Sequence, residues 1–356
     1  MKKILFINPF GIGDAIFTLR LAESVRVADP LCKVGFVGNE RTEALLNLVP
    51  AIDKVFVFNR DYYRRLWRES PLDCLRKLQA LLGEIRAEKF DVAVDVSLGR
   101  EYALGALLAG IHRRVGFDYK NRGIFLNRKI KLTSYDEGSV TDKQMELLPK
   151  TKLPHGSAQV KISFRISSKA VQEAETFLSA FGIQPQDRVI AIAPGGGKSW
   201  GENAIYKQWD PERFAQAANR WAADRDAKVL LLGDESEEGL LGKVAADLRM
   251  PAAVACGFPI ENVCALLKRS EGLLCNDGGL MHLANALGVK LVAIFGPVDE
   301  HVYGPYGGAP NSLVVTQTVP CRPCYQKFHF PPCPHARRCL DELSVETVFE
   351  SIKKIT

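Results

Sequence analysis

The sequence predicts an α/β protein built from two successive parallel-sheet domains. Short apolar runs rich in β-branched residues alternate with helical patterns in both halves of the 356-residue chain, which is the order of parallel β-α-β units. A polar, basic stretch from about 118 to 160 separates the two series. A chain of this length also exceeds the size at which one hydrophobic core usually keeps growing. We therefore expect two domains, with a boundary near residues 160–170.

The predicted elements follow the same rhythm in each half. In the first half, apolar runs predict buried strands at 4–7, 34–37, 55–58 and 92–96, and helical patterns lie at 14–28 and 72–87. In the second half, strands are expected at 189–193, 229–232, 272–275 and 292–295. Helices are expected there near 211–224, 236–248, 260–269 and 279–287, followed by an amphipathic helix at 342–355.

Charge is distributed unevenly along the chain. Residues 1–165 contain 28 Lys or Arg and 19 Asp or Glu, a net charge of +9, whereas the remaining residues contain 19 and 22, a net charge of −3. A basic half indicates an anionic partner, such as a phosphorylated glycolipid or a membrane surface; a solvated basic surface without a partner is the alternative. We expect no nucleic-acid partner, and the sequence leaves the oligomeric state open.

The first residues, M-K-K-I-L-F-I-N-P-F, do not fit a signal peptide, because the apolar run ends after four residues at Asn8 and Pro9. No segment contains the ~18 consecutive apolar residues that a membrane span needs. Nine cysteines, an odd number, fit a reducing compartment better than a disulfide scaffold. We therefore expect a cytoplasmic protein, with peripheral binding to the inner membrane as an option.

The first predicted strand leads into N-P-F-G-I-G-D, residues 8–14, and then into a helix. Gly11 and Gly13 permit a tight turn and a close approach of the backbone to a ligand, and the free N–H groups of a helix start favour an anion. Two roles are possible for Asp14 at this position. It is either the N-cap of the helix or a general base at the carboxyl edge of the sheet, where open α/β sheets bind ligands.

The strand at 189–193 ends in A-P-G-G-G-K-S-W, and K-Q-W-D-P-E-R-F-A follows further along. Gly195 and Gly196 can bring backbone N–H groups towards a ligand. Lys207, just before the helix that begins near Pro211, can reach a phosphate as a point charge. A flexible surface loop with an exposed lysine is the alternative.

Residues 273–288, L-L-C-N-D-G-G-L-M-H-L-A-N-A-L-G, place a strand, two glycines and a helix in order. The first N–H groups of the helix would point at an anion, and Gly278 and Gly279 leave room for it. His282 lies in the first turn and could donate to a phosphate oxygen, although a histidine there is more often packed or capping. The segment from Asp277 to His282 is the leading candidate for binding the diphosphate of a nucleotide.

Five motifs together resemble glycosyltransferase family 9, the ADP-heptose:lipopolysaccharide heptosyltransferases. They are G-I-G-D near the N-terminus, P-G-G-G with K-x-W downstream, L-L-G-D-E-S-E-E, D-G-G-L-M-H-L-A-N-A-L-G, and F-G-P-V-D with G-P-Y-G. The resemblance covers nearly the whole chain. The order and spacing of the motifs make it far more specific than any one of them.

The resemblance implies a GT-B fold with two facing Rossmann-like domains. Residues 1–165 would bind the acceptor, residues 166–340 would bind the nucleotide sugar, and a final helix in 341–356 would pack back towards the N-terminal domain. The family chemistry is inverting and uses no catalytic metal: a base, here Asp14, deprotonates an acceptor hydroxyl that displaces the nucleotide diphosphate. ADP-heptose, or another nucleotide sugar, would be the donor, and an anionic glycolipid of the lipopolysaccharide core type at the inner membrane face would be the acceptor.

The resemblance also assigns donor-binding residues. Glu237 would bind the ribose of the nucleotide, and Phe258 would pack against its base. Lys207, the helix start and His282 would stabilise the charge that develops on the leaving diphosphate. The remaining positions of this predicted donor site are Gly195, Gly196, Asp277, Gly278, Gly279 and Leu280.

The chain departs from the family pattern at two places. Arg20 replaces a usual proline, and the loop between Pro194 and Lys207 is longer than in the common heptosyltransferases. Because this loop borders the expected donor site, a different donor sugar or a different glycan acceptor is an alternative. A sugar-nucleotide epimerase of the same fold and a non-catalytic, nucleotide-binding family member are the other two.

One constellation stands apart from these motifs: C-R-P-C-Y-Q-K-F-H-F-P-P-C-P-H-A-R-R-C, residues 321–339. A C-x-x-C pair followed by two more cysteines suits tetrahedral zinc or iron, and we expect a structural metal. Reversible disulfides and unligated thiols are the alternatives. The predicted ligands are Cys321, Cys324, Cys333 and Cys339, with His329 and His335 as substitutes.

Overall fold

The computed structural model describes residues 1–136, 138–157, 160–306 and 311–355, except for the side chains of Lys198 and Ser199. It divides into two compact units, Met1–Arg165 and Ile166–Thr356, and each contains a six-stranded parallel sheet with helices. The predicted α/β class is confirmed. Gly307, which ends the G-P-Y-G motif, and Thr356 of the predicted final segment lie outside the described residues.

The described residues of the first unit form six strands, seven α-helices and a short 3₁₀ helix at Gly123–Phe125. The strands are β1 (Lys3–Ile7), β2 (Lys33–Gly38), β3 (Lys54–Val57), β4 (Val92–Asp95), β5 (Arg113–Tyr119) and β6 (Arg128–Leu132). The helices are α1 (Ile12–Ala28), α2 (Glu40–Asn47), α3 (Arg60–Glu69), α4 (Pro71–Glu88), α5 (Glu101–Leu108), α6 (Val140–Met145) and α7 (Leu148–Thr151).

The strand order of the first sheet is β3-β2-β1-β4-β5-β6. β1 and β4 are buried along nearly their whole length, because helices cover both faces of a parallel sheet. Successive connections leave β1 and β4 in opposite directions along the sheet, and Ile7 pairs with Asp95 at their carboxyl ends. Open α/β sheets bind ligands outside such a switch point.

In the second unit, residues 166–306 and 311–355 form six more strands, eight α-helices and 3₁₀ helices at Lys198–Lys207 and Glu235–Glu237. The strands are β7 (Arg188–Ala193), β8 (Ala227–Gly233), β9 (Ala252–Cys256), β10 (Gly272–Asn276), β11 (Leu291–Phe295) and β12 (Ser312–Thr316). The helices are α8 (Ser168–Ala180), α9 (Pro211–Arg225), α10 (Glu238–Ala246), α11 (Ile260–Arg269), α12 (Gly279–Leu287), α13 (Glu300–Tyr303), α14 (Arg338–Asp341) and α15 (Val345–Ile355).

The second sheet has the order β12-β11-β10-β7-β8-β9, which repeats the arrangement of the first sheet when strands are counted from the start of each unit. Its switch point lies between β7 and β10, which pair from Ile190 and Gly272 onwards. The sheet is covered on one side by a core that includes Trp209, Phe214 and Trp221. The carboxyl ends of β7 and β10 therefore mark the second place where the topology favours a ligand.

The last helix, α15, is amphipathic as predicted. It buries Val348, Phe349, Ile352 and Ile355 in the core of the second unit, where its neighbours are α9 and β12. Its apolar face is therefore used within that unit. Within the described ranges, no helix is both long enough and apolar enough to cross a membrane.

Candidate functional site

The glycine-rich segment after β7 and the D-G-G segment after β10 lie at the switch point of the second sheet. The two strands are neighbours, so both segments leave the same edge of the sheet. The ideal Cβ position of Gly278 lies 3.6 Å from the carbonyl carbon and oxygen of Gly196, which places the two backbones in close contact. The structure thus brings together two motifs that are about 80 residues apart in the sequence.

Asn276, the last residue of β10, holds these segments in place. Its side-chain Nδ2 donates to the carbonyl oxygen of Pro194 at 2.6 Å, and its Oδ1 accepts from the backbone N–H of Trp209 at 3.1 Å. The residue is 1% exposed, and a buried amide of this kind needs such partners. Asn276 is not among the predicted site residues, although a polar residue at the end of an apolar strand is a usable sequence signal.

Lys207 ends the 3₁₀ helix that follows the glycine-rich segment, and it is buried rather than exposed. Its Nζ lies 2.8 Å from Oδ2 of Asp277, and both side chains are less than one-tenth exposed. The alternative of a flexible loop with an exposed lysine is therefore wrong. A buried ammonium needs a counter-charge, and Asp277 supplies it here.

The D-G-G segment forms the start of α12, with Gly278 as the N-cap in an extended conformation. Gly279 and Leu280 follow in the first turn and are half-buried. The N–H groups of a first helical turn have no partner within the helix, and here they lie on residues that are partly accessible. His282 is buried one turn further along. Burial lowers the pKa of His282 to about 4, with an opposing effect of Asp277. The imidazole is therefore neutral at physiological pH.

Glu237 lies against the glycine-rich segment. Its Oε1 accepts from the backbone N–H of Gly197 at 3.3 Å, and its Oε2 accepts from the N–H of Asp234 at 3.1 Å. A Cβ atom on Gly195 would overlap the Glu237 carboxylate, so a larger residue at position 195 would have to displace that carboxylate. Gly197 has φ of +72°, a region that favours glycine.

Phe258 follows β9, in the loop before α11. Its ring is half-buried and packs edge-on against Phe177, with 4.6 Å between the centroids. The preceding residue, Gly257, donates its N–H to the carbonyl oxygen of Gly233 at 3.0 Å. The loop of Phe258 therefore adjoins the loop that leads to Glu237.

In the first unit, the segment after β1 is held by a buried asparagine. Asn8 Nδ2 donates to the carbonyl oxygen of Asp14 and to the hydroxyl of Thr18, both at 2.8 Å. The N-cap of α1 is Gly11, so Asp14 lies in the first turn and is not the N-cap. Its half-buried position at the carboxyl end of β1 is one in which a carboxylate can meet a ligand.

A second carboxyl group lies at the same switch point and is not among the predicted residues. Asp95 ends β4 beside Ile7 of β1 and accepts the N–H of Ser97 at 2.8 Å. Burial raises the pKa of Asp95 to about 6. Both Asp14 and Asp95 act electrostatically on the hydroxyl of Tyr135, whose pKa burial raises further. These three groups therefore share one polar neighbourhood.

The four cysteines of the C-terminal segment also meet in space. They line one small cavity together with His335 and Phe330. The lining cysteines are Cys321, Cys324, Cys333 and Cys339.

The predicted structural zinc or iron at these cysteines is not supported. In the part of the chain that the structure describes, no group of three or more Cys, His, Asp or Glu is arranged to hold a metal ion. Cys324 Sγ points to the carbonyl oxygen of Cys321 at 2.8 Å, and all nine cysteines are free thiols. Burial and then the neighbouring cysteines raise the pKa of Cys324 and Cys339 to about 11.

Comparisons with known proteins agree with this geometry. The family model described as glycosyltransferase family 9 (heptosyltransferase) matches residues 78–330. Lipooligosaccharide heptosyltransferase 2 of Campylobacter jejuni is 26% identical over 48% of this chain, and the match spans about half (52%) of that protein. Lipopolysaccharide heptosyltransferase 1 of Escherichia coli K12 is 23% identical over 86% of this chain and 91% of its own length.

Solved structures share the fold over the full length. The E. coli heptosyltransferase WaaC with ADP has a TM-score of 0.74 at 19% identity, covering 99% of this chain and 100% of WaaC. The predicted GT-B fold class is confirmed by this likeness. The family model covers well over half of the 356 residues. The chain therefore belongs to glycosyltransferase family 9.

Proposed function

We propose that the protein transfers a heptose, or a similar sugar, from a nucleotide diphosphate donor to an acceptor of the lipopolysaccharide core type. The observation that carries this proposal is the buried Lys207–Asp277 pair at the switch point of the second sheet, between a glycine-rich segment and the start of α12. Relatives named as heptosyltransferases support the class of sugar, and the relative solved with ADP supports ADP-heptose as the first donor to test.

The donor diphosphate would lie against the backbone N–H groups of Gly195, Gly196, Gly278 and Gly279. When the bond from the anomeric carbon to the phosphate oxygen breaks, negative charge develops on the diphosphate. Lys207 and the positive end of the α12 dipole would stabilise this charge, and the neutral imidazole of His282 would donate an N–H. With these groups in place, the reaction would not need a metal ion to neutralise the leaving diphosphate. These groups are also why we assign the second unit to the donor.

The nucleotide would extend from this diphosphate site towards β8. Glu237 would accept hydrogen bonds from the ribose hydroxyls, and the half-buried ring of Phe258 would pack against the base. Leu280, in the first turn of α12, would contact the donor beside its diphosphate. The two loops that carry Glu237 and Phe258 adjoin through Gly257 and Gly233, which supports this division of roles.

In the first unit, we assign the general base to Asp14, with Gly11 and Gly13 shaping the acceptor side of the same turn. Asp14 would take the proton of the acceptor hydroxyl, and the oxygen would attack the anomeric carbon from the face opposite the diphosphate. One C–O bond forms and one breaks, the proton ends on Asp14, and the configuration inverts. The role of Asp14 rests on the family resemblance and on its place at the carboxyl end of β1.

The acceptor would be an anionic glycolipid at the cytoplasmic face of the inner membrane. Helix α3 has no buried residue, and it exposes Arg64, Arg65 and Arg68 to solvent. Trp67 and Leu72 beside them are 52% and 68% exposed. Exposed arginines with an aromatic and an aliphatic side chain are typical of surfaces that bind anionic membranes, where each basic residue contributes ~1 kcal/mol.

Two experiments test the catalytic assignment. Thermal unfolding with a panel of ADP-, GDP- and UDP-sugars should give the largest stabilisation with one nucleotide, because a ligand at 100 times its Kd adds ~2.7 kcal/mol.

Asp14→Asn should abolish transfer while leaving nucleotide affinity nearly unchanged. Equal loss of transfer and nucleotide affinity would contradict the assignment of Asp14 to the acceptor side.

The membrane assignment has a separate test. Vesicles of phosphatidylglycerol should sediment the wild-type protein, whereas phosphatidylcholine vesicles should not. Trp67→Ser with Leu72→Ser should weaken sedimentation, and the matched control Leu108→Ser, at a leucine of the same unit that is 58% exposed, should not. Equal binding of both variants would remove this surface from the proposal.

A further inference from the structure

The cysteine-rich segment 321–339 contacts both loops that border the candidate donor site, although the proposed chemistry gives it no role. The first loop is F-G-P-V-D, after β11. The backbone N–H groups of Cys324 and Tyr325 donate to the carbonyl oxygen of Pro297 at 2.9 and 3.1 Å, and Arg322 Nε donates to that of Gly296 at 2.7 Å. This end of the segment is therefore fixed to the sheet edge.

The other end of the segment reaches the backbone around Lys207. Arg337 Nη1 donates to the carbonyl oxygen of Ile205 at 2.7 Å and to that of Gln208 at 3.4 Å. A second nitrogen of the same guanidinium pairs with Asp341 at 2.7 Å. The two carbonyl groups flank Lys207 in the chain, so Arg337 fixes the backbone from which the lysine side chain extends.

Between these two attachments, aromatic rings connect the segment to the lysine itself. The Trp200 ring lies 5.1 Å from that of Tyr325 and 4.9 Å from that of Phe330, between centroids. Lys207 Nζ lies 5.1 Å from the centroid of Trp200. An ammonium at this distance from an indole is attracted to it, most strongly when both are shielded from water.

We propose that the cysteine-rich segment is a positioning element for Lys207, and that Trp200 is the side chain through which it acts. The segment holds Trp200, and Trp200 together with Asp277 restricts the ammonium of Lys207 to one location. A lysine side chain has many rotamers, and a charge that is already in place costs no reorganisation when the diphosphate leaves. This inference rests on the proposed role of Lys207 at the donor diphosphate.

The same contacts explain why the loop before Lys207 is long. It must carry Trp200 out to meet Tyr325 and Phe330 and then return to Lys207, and Gly201, with φ of +54°, makes the bend. The four thiols occupy the interior of the segment that holds these rings.

The test is a double-mutant cycle on Trp200 and Lys207. Two quantities are measured: ADP affinity by calorimetry, and kcat with the donor that the thermal-unfolding panel selects. Trp200→Ala should lower ADP affinity or kcat by about threefold to thirtyfold, the range expected for losing a cation–π contact between a buried ammonium and a half-buried indole. Trp200→Phe should restore most of the loss because it keeps an aromatic face. In a Lys207→Ala background, Trp200→Ala should have no further effect.

The outcomes separate this inference from the proposed function. If Lys207→Ala changes neither ADP affinity nor kcat, the proposed donor site is wrong. If Lys207→Ala is impaired and Trp200→Ala is normal, or if the effect of Trp200→Ala persists fully without Lys207, the positioning role is wrong.

A second variant tests the backbone contact in the same way. Arg337→Gln should weaken ADP binding. Arg220→Gln, which removes an exposed ion pair with Glu346 in the same unit, serves as its matched control. Equal affinity of these two variants for ADP would exclude the Arg337 contact from the mechanism.

Discussion

The buried Lys207–Asp277 pair makes the sharpest prediction about stability. The two charged atoms are 2.8 Å apart, and the side chains are 8% and 6% exposed. Replacing Asp277 by Asn would leave the lysine ammonium buried without its counter-charge, which costs ~3–5 kcal/mol. For a unit of this size each kcal/mol lowers Tm by roughly 2–4 °C, so Asp277→Asn should lower Tm by about 6–20 °C. Lys207→Met should have a similar effect, because it leaves the carboxylate alone.

The double variant decides whether the loss comes from the unpaired charge. Lys207→Met with Asp277→Asn removes both charges and should recover to within about 2 kcal/mol of the wild type, because a buried pair and an apolar replacement are often close in stability. Glu346→Gln is the matched control. It breaks a pair of the same length, Arg220–Glu346 at 2.8 Å, whose side chains are 40% and 62% exposed, and should cost less than ~1 kcal/mol.

Urea unfolding followed by tryptophan fluorescence measures these differences. Three of the four tryptophans lie in the second unit, and Trp67→Phe removes the signal of the first. A loss below ~1 kcal/mol in both single variants would refute the cost of a buried unpaired charge here. So would a double variant as unstable as the worse single one. The tryptophans of the second unit are Trp200, Trp209 and Trp221.

Three further predictions concern the same unit. The pKa of His282 is lowered from 6.5 to about 4, so the unfolded chain binds a proton at higher pH than the folded one. Stability should therefore fall as pH drops from 6.5 towards 4. In His282→Gln, the urea midpoint should fall less over the same pH range. Gly195→Ala should displace Glu237 and weaken nucleotide binding in calorimetry, whereas Gly239→Ala, which meets open space, should bind normally. Asn276→Ala leaves two buried backbone groups unpaired, at ~1–3 kcal/mol each, so the urea midpoint should fall. An unchanged midpoint would contradict the role of Asn276 in joining the two loops.

The central strands could be predicted to within a few residues because helices cover both faces of a parallel sheet, so these strands are continuously apolar. Three of the four missed strands are edge strands, and the fourth, β5, lies next to the edge strand β6. β6 reads R-K-I-K-L and is largely exposed, so its sequence is like that of a polar loop. β9 and β12 are edge strands of the second sheet with only partial burial. Their identity depends on their neighbours, which a local pattern does not contain.

The location of the candidate site follows from the sequence for a similar reason. Motifs at the ends of parallel strands share one sheet edge, so Gly195, Lys207 and Asp277 could be assigned to one place. The pairing of Lys207 with Asp277 could not be predicted, because it depends on how two distant loops pack. The neutral state of His282 depends on burial in the same way.

The two hydrogen bonds of Asn276 have a consequence for the thermodynamics of donor binding at the site proposed above. They tie the loop after β7 and the backbone at Trp209 to one central strand, so the conformational entropy of these loops is lost when the protein folds. A donor that enters such a pre-organised site does not have to order it. Its affinity should therefore respond to changes in its own phosphates and sugar more than to loop flexibility. Breaking the two hydrogen bonds of Asn276 would add the free-energy cost of ordering these loops to the binding of every donor.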